Sequence, residues 1–300
     1  MRIFVTGATG FVGVRLLRSL EGSEYEIRVL SRQPHPDYET VVCDLSQEQI
    51  PVSALEQIDT IFHLAGYAHD LRDPTKVKHL YRTVNVDATV QLAKLAAQNA
   101  VKSFVYVSSV KASGSTIACR CMTEEDQGEP EGIYGITKLE AELKLLEISC
   151  QSSMHVSIVR PSLAYGPGVK GNLRMMLSGI EKGWFPPLPE VGNRRSMIHV
   201  DDLVQALLLV SVDDRANGKI FIATDGVPHS SREIYVAMCH VIDKSVPQWN
   251  IPRFLLEWVS LLSPRIRYKV EKLLGDECYS SAKLEGLGFR AERGLKDWTI

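Results

Sequence analysis

The chain has 300 residues, 45% of them hydrophobic, and a formal net charge of −2. This length predicts about two domains, and the apolar content is sufficient for packed cores. The near-neutral charge gives no general attraction to nucleic acid or to anionic lipid, so any binding of phosphate has to be local.

The first residues predict a strand, a glycine-rich turn and a helix. Apolar residues 3–5 lead into glycines at every third position, and a helix is expected from Phe11 onward. Gly7 permits a sharp turn, Gly10 leaves room for a pyrophosphate beside the backbone, and Gly13 lets the helix approach the sheet. Because the first N–H groups of a helix attract phosphate, this turn is predicted to bind a dinucleotide.

Strand-like and helical segments then alternate along the chain. Strands are expected at 3–5, 27–30, 41–43, 60–64, 103–107 and 156–159, and helices at 84–97 and 134–149. This alternation predicts an α/β fold with a Rossmann-type, doubly wound parallel sheet. Prolines and glycines become frequent after residue 161. We therefore expect a dinucleotide-binding domain at 1–168, with a possible return of 196–224, and a smaller α/β substrate-binding domain at 169–300.

The sequence predicts a cytoplasmic protein with no membrane span. The apolar run at 254–262 is too short to cross a bilayer and contains Glu257, so we expect a packing helix at a subunit or domain contact. The start of the chain lacks the pattern of a signal peptide. The six cysteines are scattered, which is typical of reduced thiols rather than of a disulfide framework or a metal site.

The catalytic hypothesis depends on Tyr134 and Lys138. On a helix, their spacing of four places the phenol and the amine on one face. Tyrosine ionises near about 10, so a tyrosine that exchanges protons near neutrality needs a positive charge that lowers its pKa. Lys138 is predicted to supply this charge. Ser109 follows a predicted strand, at the edge where parallel-sheet enzymes bind their ligands.

Together these motifs resemble the extended short-chain dehydrogenase/reductase family, which includes the NAD-dependent epimerases and dehydratases of nucleotide sugars. The likeness covers nearly the whole chain and includes segments 43–45, 63–66, 85–89 and 160–168. It places the catalytic residues of the family on Ser109, Tyr134 and Lys138. The cofactor-binding residues that the resemblance implies are Gly7, Thr9, Gly10, Phe11, Val12, Gly13, Ser31, Arg32, Asp44, Leu45, Leu64, Ala65, Gly66, Asn85, Tyr134, Lys138 and Pro161.

The resemblance also implies how a substrate is held. In the family an asparagine and an arginine bind the nucleotide diphosphate, and here they match Asn172 and Arg195. A guanidinium suits a diphosphate because its donors form a fixed fork. The alternative is that Arg194 and Arg195 only pair with Asp201 or Asp202.

Ser109 and Lys111 complete the expected substrate-binding residues. Lys111 either shapes recognition of the sugar or pairs with an acid such as Glu124 or Glu125. His199 is expected to be a packed structural histidine.

Two departures from the family pattern narrow the reaction. Sugar dehydratases carry an Asp-Glu pair after the catalytic serine or threonine, whereas this chain has Val110 and Lys111. Without that acid and base an elimination of water is not expected. At the end of the second strand, Ser31 and Arg32 replace the acidic residue of NAD-selective relatives and favour NADP over NAD. The alternative is that Arg32 stacks on adenine or points to solvent.

A preference for NADP favours net reduction. An epimerase regenerates its cofactor, so it gains nothing from a cellular NADP pool that is kept reduced. We therefore expect an NAD(P)-dependent reductase of a 4-keto UDP-hexose. The alternative is a UDP-hexose 4-epimerase, and a third hypothesis is a non-catalytic NADP-binding regulator. By resemblance, a homodimer is expected to form through helices 84–97 and 134–149. No nucleic-acid partner is expected.

Overall fold

The computed structural model describes residues 1–68, 74–114 and 120–299, with only the backbone described at 74–76, 264 and 265. The strands are β1 (Arg2–Thr6), β2 (Glu26–Ser31), β3 (Glu39–Val42), β4 (Thr60–His63), β5 (Ser103–Val107), β6 (His155–Pro161), β7 (Leu163–Tyr165), β8 (Met197–His199) and β9 (Lys219–Ala223). The helices are α1 (Phe11–Leu20), α2 (Pro74–Arg82), α3 (Ala88–Gln98), α4 (Gly132–Gln151), α5 (Gly171–Glu181), α6 (Val200–Val212), α7 (Ser231–Val241), α8 (Arg253–Ser260), α9 (Pro264–Leu274) and α10 (Ala282–Glu285).

Within the described residues, seven parallel strands form the central sheet in the order β3-β2-β1-β4-β5-β6-β9. The strand order reverses between β1 and β4, and the carboxyl ends of the strands form a crevice there. The predicted Rossmann-type sheet is confirmed.

Both faces of the sheet are covered, because successive side chains of a strand point to opposite sides. Phe4 of β1 belongs to a core that includes Leu92 of α3, whereas its neighbours Ile3 and Val5 belong to a second core with Leu16 of α1. These near-continuous apolar strands are typical of a sheet buried between two helical layers.

The second half of the chain contributes to the central sheet and also forms a core of its own. Strand β9 pairs with β6, and Ala223 lies opposite Pro161. Strands β7 and β8 form a separate parallel pair, and α5 and α7 pack in a third core that includes Leu177 and Met238. The division of the chain into domains at residue 168 stays a prediction.

The prediction of a domain contact for 254–262 is wrong, whereas the alternative of a subunit contact stays a prediction. Helix α8 has no buried residue, and most of its apolar side chains are exposed. The periodicity of the segment correctly indicates a helix with an apolar face, but that face points outward. Among the described helices, none combines the length and the apolarity needed to cross a bilayer.

The expectation of reduced thiols is also wrong for one pair of cysteines. Cys121 and Cys278 form a disulfide, although 157 positions separate them in the sequence. They meet because Met122 donates its N–H to the carbonyl oxygen of Cys278 at 2.9 Å, in a short parallel bridge. Free thiols remain at Cys43, Cys150 and Cys239, and Cys119 lies outside the described residues.

Candidate active site

The glycine-rich turn lies in contact with the end of β4. Gly7 has a φ of 71°, and a Cβ added there would lie 2.7 Å from the backbone nitrogen of Ala65. A Cβ on Gly13 would lie 2.2 Å from the carbonyl oxygen of Gly7, so only glycine lets α1 begin so close to the turn. Gly10 is the residue before α1, and the first turn of this helix carries no acidic side chain. The turn therefore fits the pyrophosphate of a dinucleotide.

The residues expected near the adenosine lie at the ends of β2 and β3. Ser31 ends β2 and donates its hydroxyl to the carbonyl oxygen of Gln33. Arg32 is exposed and lies close enough to Asp44 to help lower the pKa of that carboxyl, although the hydrogen bonds from Ser46 lower it more. The structure thus brings Arg32 and Asp44 together.

Asn85 connects the end of β4 to α4. It is buried in a π-helical turn, Thr83–Asp87, that joins α2 to α3. Its Oδ1 accepts from the N–H of Tyr67 at 2.7 Å, and its Nδ2 donates to Tyr67 O and Thr137 Oγ1, each at 3.1 Å. Such π turns are frequent at functional sites. Gly66 lies beside the same group, because an added Cβ would be 3.4 Å from Asn85 Oδ1.

Ser109, Tyr134 and Lys138 meet at the carboxyl edge of the sheet. Ser109 follows β5, and Tyr134 and Lys138 lie one turn apart on α4. The Ser109 hydroxyl lies close enough to the Tyr134 phenol to lower its pKa, and it accepts from the N–H of Lys111 at 3.3 Å. Gly135 allows this approach, because a Cβ there would lie 2.4 Å from the carbonyl oxygen of Lys111.

Burial outweighs the lowering of the Tyr134 pKa that was expected from Lys138. Burial, followed by the neighbouring Tyr81 phenol, raises the pKa of Tyr134 to about 12, although the nearby Ser109 hydroxyl opposes this. Burial lowers the pKa of Lys138 to about 7. The Lys138 amine lies 5.9 Å from the centroid of the Tyr134 ring and donates instead to Val107 O at 2.8 Å and to Tyr106 Oη at 3.1 Å. A sequence spacing does not reveal how deeply an amine is buried.

Sequence reasoning missed a buried polar chain behind Lys138. The Tyr106 ring stacks on His63 at 5.6 Å, and hydrogen bonds join His63 Nδ1 to Thr6 Oγ1 at 2.6 Å and Nε2 to Thr89 Oγ1 at 2.8 Å. Burial lowers the pKa of His63 to about 3, so this histidine is neutral. The sequence signal for this row of buried polar side chains was the presence of polar residues within apolar strands.

A buried ion pair supports α4 from the other side. Arg160 of β6 donates to both carboxylate oxygens of Glu142, at 2.9 and 2.5 Å, and to Ser113 Oγ at 2.9 Å. Both ion-pair side chains are almost fully buried. Sequence reasoning missed Glu142, and its only signal was an acid on the apolar side of a predicted helix.

The predicted substrate residues Arg195 and Lys111 belong to one charged cluster, consisting of Lys111, Glu131, Arg195, Lys272 and Glu277. Arg195 donates to Glu277 at 2.6 Å and to the carbonyl oxygen of Lys272. Lys272 in turn donates to Glu131, the residue before α4, and to Glu277 at 2.8 Å. Lys111 Nζ lies 3.9 Å from Glu131.

The acids expected to pair with these two cations lie elsewhere. Asp201 pairs with Arg15, and Asp202 with Arg293, each at 2.6 Å. Glu124 accepts from the N–H of Ile222 at 2.6 Å rather than from Lys111. The pairing of Arg195 with Asp201 or Asp202 is therefore wrong. Lys111 does lie beside an acid, but this acid is Glu131 rather than Glu124 or Glu125. Long-range packing selects the partners.

The remaining residues of interest lie on nearby elements. Asn172 is exposed in the first turn of α5, and Pro161 ends β6. His199 is buried and accepts from the N–H of Asp201 at 3.2 Å at the start of α6, which confirms a packed structural role. Within the part of the chain that the structure describes, no group of three histidine, cysteine or acidic side chains could hold a metal ion.

Comparison with known proteins agrees with this geometry. Residues 3–223 match the model of the NAD dependent epimerase/dehydratase family. The chain belongs to this family. It is therefore an NAD-dependent enzyme of the extended short-chain dehydrogenase/reductase group, as the motifs predicted.

Two curated relatives illustrate the range of this epimerase/dehydratase family. The chain is 32% identical to a UDP-glucose 4-epimerase of Vibrio cholerae, over 83% of this chain and 78% of that protein. It is 27% identical to a 3 beta-hydroxysteroid dehydrogenase/Delta 5-->4-isomerase of Mycobacterium tuberculosis, over 94% of this chain and 84% of that protein.

Solved structures share the fold over almost the whole chain. MoeE5 in complex with UDP-glucuronic acid and NAD superposes with a TM-score of 0.78 at 25% identity, covering 99% of this chain and 96% of that one. UDP-glucose 4-epimerase of Thermotoga maritima, with UDP-glucose, has a TM-score of 0.79 at 19% identity, covering 99% and 96% of the two chains.

Proposed function

We propose that this enzyme transfers hydride at C4 of a UDP-linked hexose and that it runs as a reductase of the 4-keto sugar. The observation that carries the proposal is the meeting of Ser109, Tyr134 and Lys138 beside the glycine-rich turn. A proton donor held next to a hydrogen-bonding hydroxyl is what reduction of a carbonyl group requires.

The site acts on the carbonyl oxygen of the substrate. Ser109 hydrogen-bonds this oxygen and orients it, and Tyr134 donates its phenolic proton to it. Because its pKa is raised to about 12, Tyr134 is protonated at neutral pH and can act as this acid. Lys138 is close enough to stabilise the phenolate that remains. The nicotinamide cofactor, when bound, supplies the hydride.

The ranking of reduction over epimerisation rests on the proposed preference for NADP. An epimerase regenerates its cofactor in each turnover, whereas a net reductase consumes reduced cofactor and benefits from NADPH.

We assign the dinucleotide to the crevice between β1 and β4. The N–H groups at the start of α1 bind the pyrophosphate, Asp44 and Leu45 contact the adenosine, and Lys138 bonds the nicotinamide ribose. NAD is the cofactor of the family. Our proposal of a preference for NADP depends on Ser31 and Arg32, which offer a hydroxyl and a guanidinium to a 2′-phosphate.

We assign the substrate to residues 169–300 together with Ser109 and Lys111. Asn172 and Arg195 bind the diphosphate of the nucleotide sugar in this proposal. Its support is that Arg195 and Lys111 belong to one charged cluster next to the start of α4. The complex of MoeE5 with UDP-glucuronic acid supports a UDP-sugar. A dehydratase is disfavoured because Val110 and Lys111 carry no acid.

A UDP-hexose 4-epimerase is the second candidate. The identity of 32% with the Vibrio cholerae epimerase favours it. A non-catalytic regulator is disfavoured, because Ser109, Tyr134 and Lys138 are all retained.

The test offers NADPH or NADH together with a 4-keto UDP-sugar, and separately UDP-glucose or UDP-N-acetylglucosamine without added cofactor. We expect oxidation of the reduced nicotinamide in the first assay and no epimer in the second. Formation of an epimer without net oxidation of the reduced nicotinamide would make the 4-epimerase the favoured function. Tyr134→Phe should lower the turnover number at least about 100-fold, whereas the exposed Tyr25→Phe should not change it.

We also propose a homodimer that forms through α3 and α4. Ile136 and Leu143 of α4 are exposed and seven positions apart, so they lie on one outer face. Light scattering should give the mass of a dimer, and Leu143→Glu should give a monomer. A wild-type monomer would contradict this proposal.

A further inference from the structure

We propose that α8 docks on the surface of an anionic phospholipid bilayer through its exposed apolar face. We call this surface the apolar α8 face. It consists of Phe254, Leu255, Trp258, Leu261 and Leu262. Their exposed fractions are 64%, 42%, 70%, 67% and 72%. Contiguous exposed apolar surface of this kind marks an interaction site.

The helix is oriented with its apolar side toward solvent. The five positions follow the spacing of one helical face, including the turn after α8. Leu256, Ser260 and Ser263 lie on the opposite side and are half-buried against the protein. A helix that served only to fill the core would be turned the other way, so the outward face needs a partner.

The aromatic residues around this face suit a lipid surface. Trp249 precedes α8 and is exposed, and Tyr268 is exposed on α9, which packs against α8. Tryptophan and tyrosine are favoured at the boundary between water and hydrocarbon, because each has an apolar ring and a polar atom. With a length of 8 residues, α8 lies in the plane of the membrane surface rather than across it.

The local charge favours anionic lipid over a neutral partner. Residues 249–275 contain five basic and two acidic side chains, whereas the whole chain has a net charge of −2. Arg267 and Lys269 are exposed in this segment, as is Arg253, which pairs with Glu257 at 2.7 Å. Basic side chains that flank an apolar helical face strengthen its binding to anionic headgroups. A second copy of this chain would bring the same excess of positive charge and would be repelled.

The docked helix is connected to the proposed substrate site. Lys272 lies on α9, the helix that packs against α8, and donates to Glu131 just before α4. Arg195 donates to the carbonyl oxygen of Lys272. Docking would therefore hold the charged cluster close to the lipid headgroups; this consequence rests on the proposed function, whereas the docking itself does not.

The test is sedimentation of the whole protein with vesicles. One vesicle preparation is an equimolar mixture of phosphatidylcholine and phosphatidylglycerol, and the other is phosphatidylcholine alone. We expect the protein to sediment with the anionic vesicles, and salt to weaken this binding. The double variant Trp258→Ser, Leu262→Ser should lower the partition coefficient by about tenfold or more, because two large exposed side chains no longer insert.

Val212→Ser is the matched control. Val212 is 73% exposed and ends α6, whose residue Ser211 accepts a hydrogen bond from Ser103 at the amino end of β5. It therefore lies at the edge of the sheet opposite the crevice, and its variant should bind vesicles as the wild type does. Circular dichroism and thermal unfolding check that each variant is folded.

Three results would overturn the proposal. The first is that the wild type stays in solution with anionic vesicles, and the second is that the double variant binds these vesicles as well as the wild type does. In the third case light scattering would show that the double variant dissociates a wild-type oligomer, so that the apolar α8 face joins copies of the chain. Because vesicle binding is measured without turnover, a failure of the proposed reaction would leave this test intact.

Discussion

Gly135 is expected to control turnover although its backbone takes no part in the chemistry. In the substitution Gly135→Ala, the new methyl group would lie 2.4 Å from the carbonyl oxygen of Lys111, whereas ordinary contact begins at 3.4 Å. The helix α4 and the turn after β5 must therefore separate by about 1 Å. This movement displaces the Tyr134 phenol from the Ser109 hydroxyl. A displacement of about 1 Å at a reacting group lowers the turnover number by about 100-fold.

The assay is steady-state kinetics on the substrate that the tests above identify. We expect the turnover number to fall by a larger factor than the Michaelis constant rises, because Arg195 and Asn172 do not lie on α4, whereas Lys111 moves with the displaced turn. Thermal unfolding shows whether the variant is folded, since alanine is the better helix former by about 1 kcal/mol and opposes the clash. Gly294→Ala is the control, because nothing lies within 4 Å of a Cβ at this position.

A folded Gly135→Ala enzyme whose turnover number stays within about twofold of the wild type would contradict this prediction. That result would mean that Ser109 and Tyr134 need no close approach. A parallel fall in the Gly294→Ala enzyme would show that the loss is not specific to α4.

Three other predictions address the core, the buried amine and the cofactor. Glu142→Gln should lower the free energy of unfolding in urea by about 3–5 kcal/mol, because it leaves the Arg160 guanidinium buried without its counter-charge; a loss below about 1 kcal/mol would contradict this. The Lys138 amine is charged in the unfolded chain up to pH 10.5 but loses its charge in the folded chain above about 7, so the unfolded chain binds more protons between these values. The free energy of unfolding should therefore rise with pH across this window, and this rise should be absent from the Lys138→Met variant. If urea titrations give the same pH dependence for the wild type and the variant, the prediction is wrong. Arg32→Asp should lower kcat/KM for NADPH by at least about tenfold relative to NADH, and an unchanged ratio would remove Arg32 from cofactor selection.

The sheet could be predicted because its signals are local. Apolar strands alternate with amphipathic helices, and the glycines at 7, 10 and 13 mark the first turn. The same spacing rules placed Tyr134 and Lys138 on one face of a helix, and both residues lie in α4.

The features that were predicted wrongly depend on contacts between distant parts of the chain. The period of an apolar stripe is the same whether the stripe faces the core or solvent, so the orientation of α8 was not accessible. The partner of Cys121 lies 157 positions away. Burial decides the pKa values of Tyr134 and Lys138, and burial comes from packing that a spacing of four does not specify.

The π-helical turn at Thr83–Asp87 has a consequence for how the enzyme tolerates insertions and deletions. Removing one residue there would restore a regular helix but would rotate the preceding helix by about 100° relative to the following one. The amide of Asn85 would then swing away from both the backbone of Tyr67 and the hydroxyl of Thr137. The segment after β4 and the helix α4, which carries Tyr134, would then lose the hydrogen bonds that they share through Asn85, so the wide turn fixes the position of one relative to the other.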